Sequence, residues 1–198
     1  MNANVGMQYP VYAKIASYTP GTGVTYSAGA PAAEAVSANV TWNRNDGHFY
    51  GDDVELDSDN SVIGYTISFE PSGLKDAVRS DLLGETLANT EYTVNDSAAP
   101  DVGFGYVRVM RENGDSGVST KYQAWWYYKM KFAVTSEESR TKEGGGIEWR
   151  IPTLEGTGAG VLLDSSGKKS FAVHRTFDTL ADAKAWINTK ANISAVTT

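Results

Sequence analysis

The side chains best suited to chemistry are a dense run of carboxylates, two histidines and one run of aromatic residues. Asp46, Asp52, Asp53, Glu55, Asp57 and Asp59 fall within fourteen residues. Paired carboxylates can supply the two acids of a glycosidase or the oxygen ligands of a calcium ion. On an extended strand, residues 53, 55, 57 and 59 share one side, where like charges repel unless hydrated or matched by cations. Calcium loops interrupt such a row with turns, and the glycine and terminal glutamate of the helix–loop–helix calcium motif are missing. A solvated or interface-facing charge row is the simpler reading. His48 beside Asp52 or Asp53 offers an acid–base pair without a second supporting group, and an exposed hairpin histidine is the commoner explanation. His48 and His174 do not share a metal-ligand spacing. The runs Gly21-Thr22-Gly23 and Gly144-Gly145-Gly146 lack the lysine and helix context of a phosphate cradle, and no nucleophile elbow is present. The aromatic run Trp125-Trp126-Tyr127-Tyr128 can form a core face, a subunit contact or a sugar-stacking platform.

Bulk composition narrows these options. The chain has 198 residues, 41% hydrophobic and 11% aromatic, enough to bury a core as one elaborated domain over 1–198. With no cysteine, disulfides, thiolate metal sites and cysteine nucleophiles are excluded. A formal charge of -7 and a pI near 4.8 oppose general binding to nucleic acid, which needs cations to displace phosphate counterions. Residues 1–20 lack a basic segment followed by an apolar run, and no stretch nears the ~18 apolar residues of a membrane span, so a soluble cytoplasmic chain without membrane contact is expected. The carboxylate run lies in the first half, while Lys121, Lys129, Lys131, Arg140, Lys142 and Arg150 lie in the second, an asymmetry suited to head-to-tail association and equally to two merely solvated faces.

The elements that must position these groups are mostly strands. Tyr9 to Tyr18 reads as a strand ended by the turn at Pro20 to Gly23, and Ser27 to Ala33 as a loop. Ala35 to Trp42 alternates with period two. After a turn at Asn43 to Gly47, His48 to Leu56 and Val62 to Glu70 read as a long antiparallel hairpin turning near Asp57 to Asn60, with acidic residues about its tip. Leu74, Ala77, Val78 and Leu82 form a short helical stripe ending at Gly84, and Glu85 to Asp101 a polar loop with one short strand at Tyr92 to Val94. Val102 to Arg111 and Val118 to Val134 pair across a polar turn; Gly103 and Gly105 within the first mark close backbone packing or a bulge. In the second, alternation puts Tyr122, Ala124, Trp126, Tyr128, Met130 and Phe132 on a core face. It puts Lys121, Gln123, Trp125, Tyr127, Lys129 and Lys131 on a surface or interface. Glu137 to Gly146 reads as a loop, Ile147 to Ile151 as a strand, Gly160 to Leu163 with Ser170 to Thr176 as a strand pair, and Thr179 to Ala191 as a helix capped by Thr179 and Asp182. Eight or more strands against two helices predict a mostly-β, antiparallel sandwich or barrel with peripheral helices.

Several of these segments together resemble the major tail proteins of long-tailed bacteriophages. The carriers are Phe49-Tyr50-Gly51-Asp52-Asp53, the helix ending Leu82-Leu83-Gly84, Gly103-Phe104-Gly105-Tyr106, Tyr127-Tyr128-Lys129-Met130-Lys131-Phe132 and Ile151-Pro152-Thr153-Leu154. They fall in order across roughly residues 35 to 160, with weaker likeness at the start and in the terminal helix and tail at 177–198. The resemblance implies a virion protein, assembled in the host cytoplasm, whose β-sandwich subunits form stacked hexameric rings of a tail tube. Its partners would be its own copies, the tape measure, tail terminator and distal tail proteins, and DNA passing without specific binding. No cofactor, metal or catalytic group is implied. On this reading Asp52, Asp53, Glu55, Asp57 and Asp59 line an acidic lumen or an inter-ring surface, and Phe49, Tyr50, Trp125, Tyr127, Lys129 and Lys131 make subunit contacts. The alternative is a carbohydrate-binding sandwich using Trp125 and Tyr127, and a hydrolase built on His48 is the third choice.

Overall fold

A computed structural model describes residues 2–114, 117–138 and 151–194. All but the last residue of the strand expected at Ile147 to Ile151, most of the loop at Glu137 to Gly146, and Arg140, Lys142 and Arg150 lie outside the described residues. The first strands are β1 (Asn2–Thr19), β2 (Gly23–Tyr26), β3 (Ala30–Pro31), β4 (Ala35–Arg44), β5 (Gly47–Gly51), β6 (Val54–Asp59) and β7 (Val62–Pro71). Helix α1 (Asp76–Leu83) precedes β8 (Thr86–Ala88), β9 (Glu91–Thr93), β10 (Val102–Gly114) and β11 (Gly117–Ser136). The chain continues through β12 (Thr153–Gly158), β13 (Val161–Leu162), β14 (Lys169–Ser170), β15 (Ala172–Phe177) and α2 (Leu180–Lys190).

The fold is mostly β and antiparallel, built on one sheet of order β2-β1-β10-β11-β12-β7-β4, with β15 added to β11 and β3 to β1. Strand β11 divides this sheet into layers. On its side away from β10, residues Tyr122–Tyr127 pair with β15 and residues Met130–Ser136 pair with β12. In a flat sheet β7 would lie three strand spacings from β10, about 14 Å. Yet the rings of Phe69 (β7) and Phe104 (β10) have centroids 5.2 Å apart, so the sheet folds back over its own face. The fold-over encloses the main core, where Tyr65, Ile67, Phe69, Phe104, Tyr106, Tyr127, Met130, Phe132 and Leu154 are buried and α1 closes one end with Val78 and Leu82. The opposite face of β1, β10 and β11 is covered by α2, whose Ala183 and Ile187 pack with Val11, Val107, Ala124 and Trp126. Gly105 permits that approach: a Cβ there would stand 2.8 Å from Ile187 Cδ1 and 2.7 Å from the Trp126 ring.

Local signals carry through where they are self-contained. Alternation in β7 buries Tyr65, Ile67 and Phe69, and α1 ends at Gly84 with φ 79°. Thr179 Oγ1 accepts from the Asp182 amide at 3.1 Å and donates to its carboxylate at 2.7 Å, closing the cap of α2.

Four expectations need correction. Strand β1 begins at Asn2 rather than Tyr9, because Asn2 to Gln8 pair with the far half of β10. The partner of Val62–Pro71 is Ala35–Arg44; His48 and its neighbours pair instead with Val54–Asp59, turning at Asp52-Asp53. Lys169–Ser170 pairs with Val161–Leu162, whereas Ala172–Phe177 leaves for β11. The alternation read for β11 also breaks, because Val102 pairs with Met130 but Phe104 with Tyr127, so three steps on β11 oppose two on β10. This bulge moves Tyr127 onto the face of Met130 and Phe132. Tyr127 is therefore 0% exposed in the chain's own core, and Tyr128 is the half-buried member of the pair on the α2 side.

Candidate functional site

Strands β5 and β6 form an arm that continues the β4–β7 hairpin beyond the sheet. The passage from body to arm is a polar seam: Asn45 N donates to Ser61 O at 2.8 Å, Asn45 Nδ2 to Asp59 Oδ2 at 2.6 Å, and Ser61 N to Asp59 Oδ1 at 2.9 Å. These donors hold the Asp59 carboxyl below its usual range. At the far end Asp52 and Asp53 occupy left-handed backbone, φ 51° and 63°, as a two-residue hairpin turn with two positive φ values requires. Aspartate is among the few side chains that tolerate this region, so these two residues shape the tip as well as charge it.

The expected single row of carboxylates does not form. Asp53 is spent in the turn, and Phe49 pairs with Asp57 while Tyr50 pairs with Glu55, leaving Leu56 as an extra residue in β6. Directly paired residues share a face, so Glu55 joins His48, Tyr50 and Ser58, and Asp57 and Asp59 join Phe49. Like charges are thereby divided between two sides.

His48 lies between two carboxylates, with Nδ1 2.9 Å from Glu55 Oε1 and Nε2 3.0 Å from Asp46 Oδ1. Hydrogen bonds first to Glu55 and then to Asp46 raise its pKa above the ordinary value. The sequence signal for this triplet was Asp46-x-His48, two residues apart on extended chain, and Asp46 rather than Asp52 or Asp53 is the partner. Among the described residues no group of three His, Asp or Glu side chains is arranged to hold a metal ion.

What distinguishes the arm is its apolar surface. Phe49, Tyr50, Val54 and Leu56 are 60–64% exposed, and every residue of β6 is exposed. A lone two-stranded hairpin is marginal in water; no other strand of the described chain pairs with this one, and none of its apolar side chains joins a core cluster. The sheet that carries it is also open. Strand β4 ends the strand order, with no charged residue from Ala35 to Asn43, and among the described residues Asn2 to Gln8 of β1 pair only with β10. Such uncharged edges lack the usual guards against pairing with another chain.

The aromatic face of β11 is largely used internally. Trp125 stacks on His174 at 4.3 Å and on Tyr127 at 5.9 Å, and the Arg108 guanidinium sits 4.7 Å from its ring centre. Its Nε1 donates to Gln123 at 2.7 Å. Lys129 pairs with Asp101 at 3.1 Å and lies over the Tyr18 ring, and Lys121 pairs with Asp178. Lys131 is exposed, so of the contact candidates on β11 it alone is both solvent-facing and outside the described ion pairs.

Two features had no reading in the sequence. Arg79 joins Glu85, which is almost fully buried, to Glu137, tying α1 to the end of β11. A groove of about 860 Å³ opens beside β1, between Met7–Pro10, Pro31–Ala35 and the approach to α1. Its walls are far apart in sequence, so no local pattern announces it.

No protein-family model and no curated protein matches this chain.

Proposed function

We propose that this chain is a structural subunit whose working form is a polymer of its own copies, and specifically a tail-tube protein of a long-tailed phage or a related particle. The observation that carries this is the arm, a hairpin with four large apolar side chains exposed and nothing among the described residues to bury them. Two uncharged strand edges at different places in the sheet add to it, because unlike surfaces that meet make heterologous contacts, which close into rings or run on as tubes. Carboxylates on both sides of the arm suit a wall that DNA passes without adhering, since like charge repels within the ~8 Å screening distance. In such a particle the partners are other copies, the tape measure, terminator and distal tail proteins, and transiting DNA; the site is the virion tail, and no catalysis is asked of the chain.

A sugar-binding module finds less support, because stacking on a sugar needs a free aromatic face. Tyr127 is inside the core and the Trp125 ring is flanked by His174, Tyr127 and Arg108. A hydrolase built on His48 would need an enclosed site, and His48 stands on the exposed arm.

Negative-stain electron microscopy of the purified, concentrated chain tests the proposal. Rings of uniform diameter or hollow tubes are expected. A particle that stays monomeric at every concentration, with a glycan array positive for wild type and negative for Trp125→Ala, would replace it with the sugar-binding reading.

A further inference from the structure

We propose that the groove beside β1 is the receptor for the arm tip of a second copy of this chain, a step that rests on the self-assembly proposed above. Three independent features make the two surfaces complementary. The first is charge. Lys75 at the start of α1 and Lys184 on α2 flank the groove, and neither has a carboxylate partner among the described ion pairs; Lys184 lies only over the Tyr9 ring. Glu34 is the sole carboxylate in the lining. The arm offers the opposite sign, with Asp52 and Asp53 in its turn and Asp57 behind them, none in a described ion pair. The second is apolar surface. Met7, Pro10, Pro31, Ala32 and Ala35 contribute apolar atoms to a mixed lining, and about 860 Å³ leaves room for the ring of Phe49 or of Tyr50, which lie on opposite faces of the arm and are otherwise left in water.

The third is the backbone. Beyond Val11 and Tyr12, which pair with β3, the outer edge of β1 toward Asn2 has no partner strand among the described residues. A bulge between Gln8 and Val11, with Tyr9 at φ 55°, turns the strand where the groove begins. An incoming hairpin strand can therefore hydrogen-bond along the edge while its tip enters the groove. Because arm and groove are different surfaces of one chain, each copy gives one contact and receives another, and association propagates instead of stopping at a two-fold dimer.

Charge reversal on either side tests this. Asp52→Lys/Asp53→Lys and Lys75→Glu/Lys184→Glu should each raise the concentration for half-assembly, followed by sedimentation, about tenfold, and the fourfold variant carrying both changes should return toward wild type. Since the chain has no cysteine, Asp53→Cys and Lys75→Cys proteins mixed under oxidation should form a disulfide between copies, whereas Asp53→Cys with Lys168→Cys should not. Thermal melting identifies a variant that has merely unfolded, and the disulfide pair then decides. Assembly of Lys75→Glu/Lys184→Glu at the wild-type concentration, or equal cross-linking of the two cysteine mixtures, overturns the groove assignment and leaves self-assembly standing. Wild-type protein that never assembles overturns both.

Discussion

Truncating Phe49 should separate assembly from folding. In the single chain its ring is 64% exposed, and the neighbouring Leu56 is 62% exposed. Full burial of such a side chain is worth about 1.5–3 kcal/mol, so covering the part still in water contributes roughly 1–2 kcal/mol per side chain. Phe49→Ala should then weaken each contact between copies about 5- to 30-fold, and Phe49→Ala/Leu56→Ala by more. The same ring supports little within its own chain, so the unfolding free energy of the isolated subunit should stay within about 0.5 kcal/mol of wild type. Phe104→Ala, at 0% exposure, is the contrasting case and should cost about 3–5 kcal/mol of folding stability. Sedimentation velocity across a dilution series measures the first effect and urea unfolding below the assembly concentration the second. Unchanged half-assembly for Phe49→Ala/Leu56→Ala would refute the role of the arm, and so would a loss of folding stability as large as that of Phe104→Ala.

Two further outcomes follow from the geometry. Tyr127→Ala should cost about 3–5 kcal/mol in urea unfolding and Trp125→Ala clearly less, because the two share a face but Tyr127 is 0% exposed inside the main core while Trp125 is partly buried at its margin; a small cost for both would show that the strand keeps strict alternation. His48 has a folded-state pKa raised above the ordinary 6.5 by Glu55 and Asp46, so its contribution to holding the arm is fully present below that value and is lost as pH rises through the folded pKa. Amide exchange of residues 47–59 should accordingly quicken as pH is raised above 6.5, after correction for intrinsic rates, and His48→Gln should abolish that difference.

The parts legible in the sequence are those whose cause is local. A glycine in left-handed backbone ends α1, a threonine and an aspartate three residues apart start α2, and alternation over Tyr65, Ile67 and Phe69 marks a core strand, all without reference to a partner. A bulge has no such signature. The three steps from Tyr127 to Met130 look like ordinary alternation until β10 crosses them in two, and the same holds where Leu56 is passed over between Glu55 and Asp57. Both misplacements of site residues, Tyr127 on a contact face and the acids in one row, trace to these two bulges. The hairpin partner was hidden for a related reason. Asn43 to Gly47 and Asp57 to Asn60 both carry turn chemistry, but Gly47 pairs with Asp59 and Asn45 bonds to Ser61 and Asp59, so they are the two sides of one seam. Two clusters of turn residues facing each other across a ladder read in sequence as two separate turns.

That seam also explains how one hairpin serves two ends. On the body side, β4 and β7 bury Tyr65, Ile67 and Phe69, and among the described residues no buried side-chain polar atom lacks a partner. On the far side β5 and β6 bury no large apolar residue and keep Phe49, Tyr50, Val54 and Leu56 in water. Polar side chains bonded across the seam fix the direction of the arm without extending the core into it, and the extra residue at Leu56 parts its charges between two faces. A body satisfied by its own contacts can fold first and alone. An arm whose apolar side chains meet nothing else among the described residues gains burial against another copy in the proposed assembly, which makes its surface the place where assembly and folding can be varied independently.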